Sequence, residues 1–92
     1  MTRSAEAAPT FSQRTSSISS LTAVAVDPNT NLVYAQKNQG KAFYQYNPET
    51  NLWKPLASAP INSENNGGAA YANGNIYTVY TSNDDLMGVY NI

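Results

Sequence analysis

The chain has 92 residues, a formal net charge of −1, 12% charged residues, and neither cysteine nor histidine. That length suits about one small domain, and that composition excludes a disulfide framework, thiolate or imidazole zinc sites, and Ser-His-Asp or Cys-His catalysis. The basic residues Arg3, Arg14, Lys37, Lys41 and Lys54 are scattered and apolar runs reach only four residues, so neither a nucleic-acid nor a membrane partner is expected.

Residues 1–8 are small and polar and are expected to form a disordered leader, with 9–92 as the folded part. Residues 1–20 hold no apolar run of signal-peptide length. A short extended stretch is expected over 10–14, around Phe11, followed by a Ser-rich loop to Ser20. From there strand and turn signals alternate. Strands are predicted over 21–26, 32–37, 42–46, 52–56, 68–72, 75–81 and 86–91. The segments between them carry the Asn, Asp, Gly and Pro residues that turns require. They include Asp27-Pro28-Asn29-Thr30-Asn31, Asn38-Gln39-Gly40, Asn47-Pro48-Glu49-Thr50-Asn51 and Ser82-Asn83-Asp84-Asp85. Asn73-Gly74 predicts a two-residue type I′ hairpin, because both central positions need positive φ. No window shows a 3.6-residue period, and no helix is predicted. Twelve asparagines and seven tyrosines fit the same all-β profile.

A half-repeat occurs twice. Thr22 to Val26, a turn and Leu32-Val33-Tyr34-Ala35 are matched by Gly68 to Ala72, a turn and Asn75-Ile76-Tyr77-Thr78. Aligning Tyr34 with Tyr77 gives an offset of 43 residues, within the range of propeller blades and solenoid repeats. Short antiparallel strands at this period predict β-propeller blades, each a four-stranded antiparallel sheet, about two per chain.

Tyr46 and Trp53, separated by six residues that include the turn Asn47 to Asn51, have the spacing of a kelch repeat. Leu56 to Pro60 resembles the segment leaving a kelch blade's outer strand. Gly68 to Tyr77 resembles the inner strand, tight turn and second strand of the next blade. The resemblance to kelch-like propellers spans about 21–92. The kelch double glycine that ends the second strand is absent, its places being held by Ala35-Gln36 and Tyr80-Thr81.

Blade 1 is then about 21–57. Blade 2 is about 68–92 and lacks an outer strand, for which the segment near 10–14 is the candidate, its Phe11 standing where Trp53 stands in blade 1. Two blades leave sheet faces without neighbours, and propellers use roughly four to eight. The expected partner is therefore the chain itself, in a closed ring. Three copies would supply about six blades. The alternative is a fragment of a longer propeller.

The resemblance implies a non-catalytic binding or interaction module, with no enzyme activity and no cofactor. The candidate ligand-binding loop is Asn62-Ser63-Glu64-Asn65-Asn66, which joins the blades and is rich in amide donors and acceptors. Its ligand would be a protein or a glycan. The alternatives are a glycan-binding lectin and a fragment of a propeller enzyme of the sialidase-like or galactose-oxidase-like kind. Asn83, Asp84 and Asp85 offer oxygen ligands but lack the spacing of a calcium loop. No metal site is expected.

Overall fold

The computed structural model describes residues 11–14, 18–61, 68–79 and 87–92. Its strands in chain order are β1 (Leu21–Val26), β2 (Val33–Lys37), β3 (Phe43–Asn47), β4 (Leu52–Leu56), β5 (Gly68–Ala72), β6 (Asn75–Val79) and β7 (Met87–Asn91). They form two antiparallel sheets, one ordered β1-β2-β3-β4 and the other β5-β6-β7. No helix occurs among the described residues. The expected leader 1–8, and residues 80 and 81 of the sixth predicted strand, lie outside the described residues.

Residues 11–14 form no strand within the chain. They are exposed, Phe11 completely so. The Arg14 guanidinium Nη1 donates to the Tyr46 hydroxyl at 2.9 Å and to the Pro48 carbonyl at 2.8 Å.

Two turns share one chemistry. In Asp27 to Asn31 the Asp27 carboxylate accepts the Asn29 N–H at 2.9 Å, and the Asp27 carbonyl accepts the Asn31 N–H at 2.8 Å. In Asn47 to Asn51 the Asn47 side-chain oxygen accepts the Glu49 N–H at 2.9 Å, and its carbonyl accepts the Asn51 N–H at 2.8 Å. Each turn ends on an asparagine in the left-handed region, Asn31 at φ 63° and Asn51 at φ 59°. Asparagine tolerates that region better than other side chains, and proline presets the second position. Asn73 and Gly74 have φ 50° and 81°, the paired positive angles that the tight turn between β5 and β6 needs.

The first strand carries an irregularity. Its register with β2 shifts between Thr22 and Val24, and the intervening Ala23 has φ 51°. One extra residue in a bulge lets the strand bend without losing the flanking pairs.

Alternation across the pleat decides which side chains are covered. Cross-strand register puts Thr22, Gln36, Phe43 and Leu56 in one row, and Ala25, Tyr34, Gln45 and Lys54 in a second row of the same face. The facing surface of the other sheet carries Ala69, Tyr71, Ile76, Thr78, Gly88 and Tyr90. Between these faces lies the core of Ala25, Tyr34, Phe43 and Ile76, with Leu32, Leu56, Ala69, Tyr71 and Tyr90 packed around it. The Tyr90 ring lies 5.9 Å from that of Tyr34 and 5.0 Å from that of Phe43, locking the sheets together. Strand β1 runs against β5, and the Asn29 amide donates to the Tyr71 hydroxyl at 2.9 Å.

The opposite faces carry many apolar side chains, and among the described residues no second sheet packs on them. The first sheet turns Val24, Val26, Val33, Tyr44, Tyr46 and Trp53 outward, with Trp53 stacked at a tilt on Tyr46, centroids 4.7 Å apart. The second turns Ala70, Tyr77, Val79, Met87 and Val89 outward.

Candidate functional site

A cleft of about 240 Å³ opens between the sheets at the β7 side. Its floor is the ring pair Phe43 and Tyr90, with Gln36 and Thr78 beside them. One wall is the segment 57–60 that leaves β4, and the other is β7 from Gly88 to Asn91. Among the described residues no acidic or basic side chain lines it. Its interior therefore selects by shape and apolar contact, with hydrogen-bonding groups at the margin.

Two anchors hold the 57–60 wall in place. The Ala59 N–H donates to the Lys41 carbonyl at 2.7 Å. The Gln36 amide Nε2 donates to the carbonyls of Gly40, at 2.8 Å, and Ile61, at 2.9 Å. Gln36 is fully buried, and a buried amide is tolerated only when so bonded. One side chain thus ties the β2–β3 loop to the connector that leads out of the first sheet.

The β7 wall brings backbone groups. The Ile92 N–H donates to the Gly74 carbonyl at 3.1 Å, so position 92 and, by alternation, positions 90 and 88 turn their N–H and C=O toward β6. Met87, Val89 and Asn91 turn theirs to the other edge, where no strand pairs with β7 among the described residues. That edge borders the cleft.

The sequence-predicted loop Asn62, Ser63, Glu64, Asn65 and Asn66 lies outside the described residues. Its preceding residue, Ile61, is the one whose carbonyl Gln36 holds. Asn83, Asp84 and Asp85 also lie outside them. Glu49 is exposed and Asp27 is buried within its own turn. Among the described residues no three metal-ligating side chains cluster, and no helix is long and apolar enough to cross a membrane.

Sequence reasoning missed Gln36, Phe43, Tyr90 and the 57–60 wall as a group. One signal was available, since Gln36 follows Leu32 and Tyr34 at alternate positions on one strand face and is a polar residue after two apolar ones. No protein-family model, no curated protein and no solved structure matches the chain.

Proposed function

We propose that the two sheets are consecutive blades of a kelch-like β-propeller, and that the chain is a non-catalytic binding module. In this reading further copies of the chain close the ring, and the cleft beside β7 takes an extended segment of a protein partner. The face-to-face stacking with β1 against β5, and the shared register of the two sheets, support the blade reading. The binding reading is carried by one observation: an apolar, aromatic-floored cleft runs beside a strand edge with outward N–H and C=O groups. A peptide that adds a strand to such an edge takes affinity from main-chain bonds and specificity from side-chain pockets. The volume of about 240 Å³ falls below the roughly 300–1,000 Å³ of small-molecule sites. It suits one or two anchoring side chains better than a cofactor or an oligosaccharide.

The test is selection of binders from a displayed library of random peptides, followed by Val89→Pro. Proline removes only the outward N–H of Val89, leaving the bonds between β6 and β7 intact, and edge strands accept it. Selected peptides should bind Val89→Pro roughly three- to tenfold more weakly, the contribution of one hydrogen bond. Unchanged affinity would overturn edge pairing. Saturable binding on a glycan panel with no peptide selected would overturn the peptide reading in favour of a lectin.

A further inference from the structure

The registers of the two sheets superimpose residue by residue. Val33 pairs with Tyr46 in the first sheet as Ile76 pairs with Tyr90 in the second, and Tyr34 pairs with Gln45 as Tyr77 pairs with Val89. Ala35 with Tyr44 corresponds to Thr78 with Gly88, and Gln36 with Phe43 to Val79 with Met87. The offset has a consequence for the faces. Tyr34, Gln36 and Phe43 line the buried face of the first sheet, whereas their counterparts Tyr77, Val79 and Met87 line the exposed face of the second. Conversely, Ile76 and Tyr90 are inside, whereas their counterparts Val33 and Tyr46 are on the exposed face of the first sheet. Each open face is the repeat equivalent of one half of the interface that already holds the chain together.

We infer that the open face of the β5-β6-β7 sheet binds the open face of the β1-β2-β3-β4 sheet of a second copy, head to tail, in the register of the internal contact. Tyr77 and Met87 then meet Tyr46 of the second copy as Tyr34 and Phe43 meet Tyr90 within the chain. Continuity with that internal interface identifies the occupant as a second copy of the chain. The second copy presents an aromatic and a branched side chain, Tyr46 and Val33, where the internal contact uses Tyr90 and Ile76. Charge does not oppose it. The described residues of the β5–β7 face include no ionisable group other than tyrosine. On the opposing face Lys37 is held by the Ser19 carbonyl at 2.6 Å, and Arg14 is held by Tyr46 and Pro48. Two different patches meet, so the contact is heterologous and propagates until a ring closes. The inference rests on the self-assembling part of the proposed function and names the surfaces that part leaves open.

The absence of native cysteine makes the test direct. Met87→Cys and Tyr46→Cys chains, each checked for native circular dichroism, are mixed in equal amounts and oxidised. The mixed disulfide dimer should exceed either homodimer by about tenfold, as a heterologous contact requires. A statistical mixture, or no disulfide, overturns the inference. Should Tyr46→Cys fail to fold, Met87→Lys supplies the second measurement: its mass by light scattering should fall to one chain where the parent chain is multimeric. A multimeric parent unaffected by Met87→Lys overturns these faces and leaves self-assembly standing. A monomeric parent overturns both.

Discussion

Tyr34 and Tyr77 hold the same position in two copies of one repeat, yet they live in different surroundings. Tyr34 is 1% exposed, between the rings of Phe43 and Tyr90, while Tyr77 is half-buried on an open face. The same holds for Gln36, sealed inside, against Val79, about half exposed, and for Phe43 against Met87. Burial here follows the place of a sheet in the stack and not the repeat position. The four-stranded sheet has one covered face and ends at β4 among the described residues. The three-stranded sheet has one covered face and ends at β7 among the described residues. Each sheet therefore covers one of its two faces with the other sheet and leaves the second without a packed sheet among the described residues.

Equivalent substitutions in the two sheets can break that comparison. The largest effect is expected from Tyr34→Ala, which removes ring contacts on both sheets and the hydroxyl that accepts from Gln45. It should cost about 3–5 kcal/mol, as aromatic truncation in a core does, enough to lose the folded baseline in urea denaturation of so small a chain. Tyr77→Ala in dilute, dissociated protein should cost about 1 kcal/mol or less. Equal losses under those conditions would mean that the second open face is covered within the chain. At concentrations where copies associate the gap should narrow, because association stabilises the folded state by mass action.

An intermediate effect is expected at the next pair. Gln36→Leu strips the donors from the Gly40 and Ile61 carbonyls and should destabilise by about 1–3 kcal/mol, read as a lower urea midpoint with an unchanged slope. The counterpart change Val79→Gln should stay within about 0.5 kcal/mol, as exposed substitutions do. The smallest difference sharpens the comparison of the twin turns. Asp27→Ala should cost about 1 kcal/mol and Asn47→Ala about half of that, because Asp27 is buried and Asn47 only partly so. A thermal melt in which Asn47→Ala proves the more damaging would show that burial does not set the worth of these turns.

Much of the fold was legible because its determinants are local. Asp27-Pro28, Asn47-Pro48 and Asn73-Gly74 each carry the dihedral preferences and side-chain acceptors that close a turn within five residues. Once the turns are set, hairpin register follows, and so does the alternation that puts Tyr44 and Tyr46 on one face and Phe43 on the other. The candidate site was not legible in the same way. Amide content points to the loop 62–66, whereas the cleft is assembled from Gln36 on β2, Phe43 on β3, the 57–60 segment and β7. No spacing along the chain links these, since only the stacking of two sheets brings them together. Nor did any pattern single out residues 57–60 as a wall, because their position is set by a hydrogen bond to Lys41 and by the amide of Gln36.

By itself the amino-acid sequence determined the all-β class, the turn types and the two faces of each strand, all properties that short-range sterics and hydrogen bonding decide. The tertiary structure alone decided which of the two faces is buried. Alternation marks both faces of these strands as apolar enough to bury, and the choice between them depends on which sheet packs against which, a contact such as Tyr34 or Phe43 with Tyr90, 56 and 47 positions apart, that no local preference encodes.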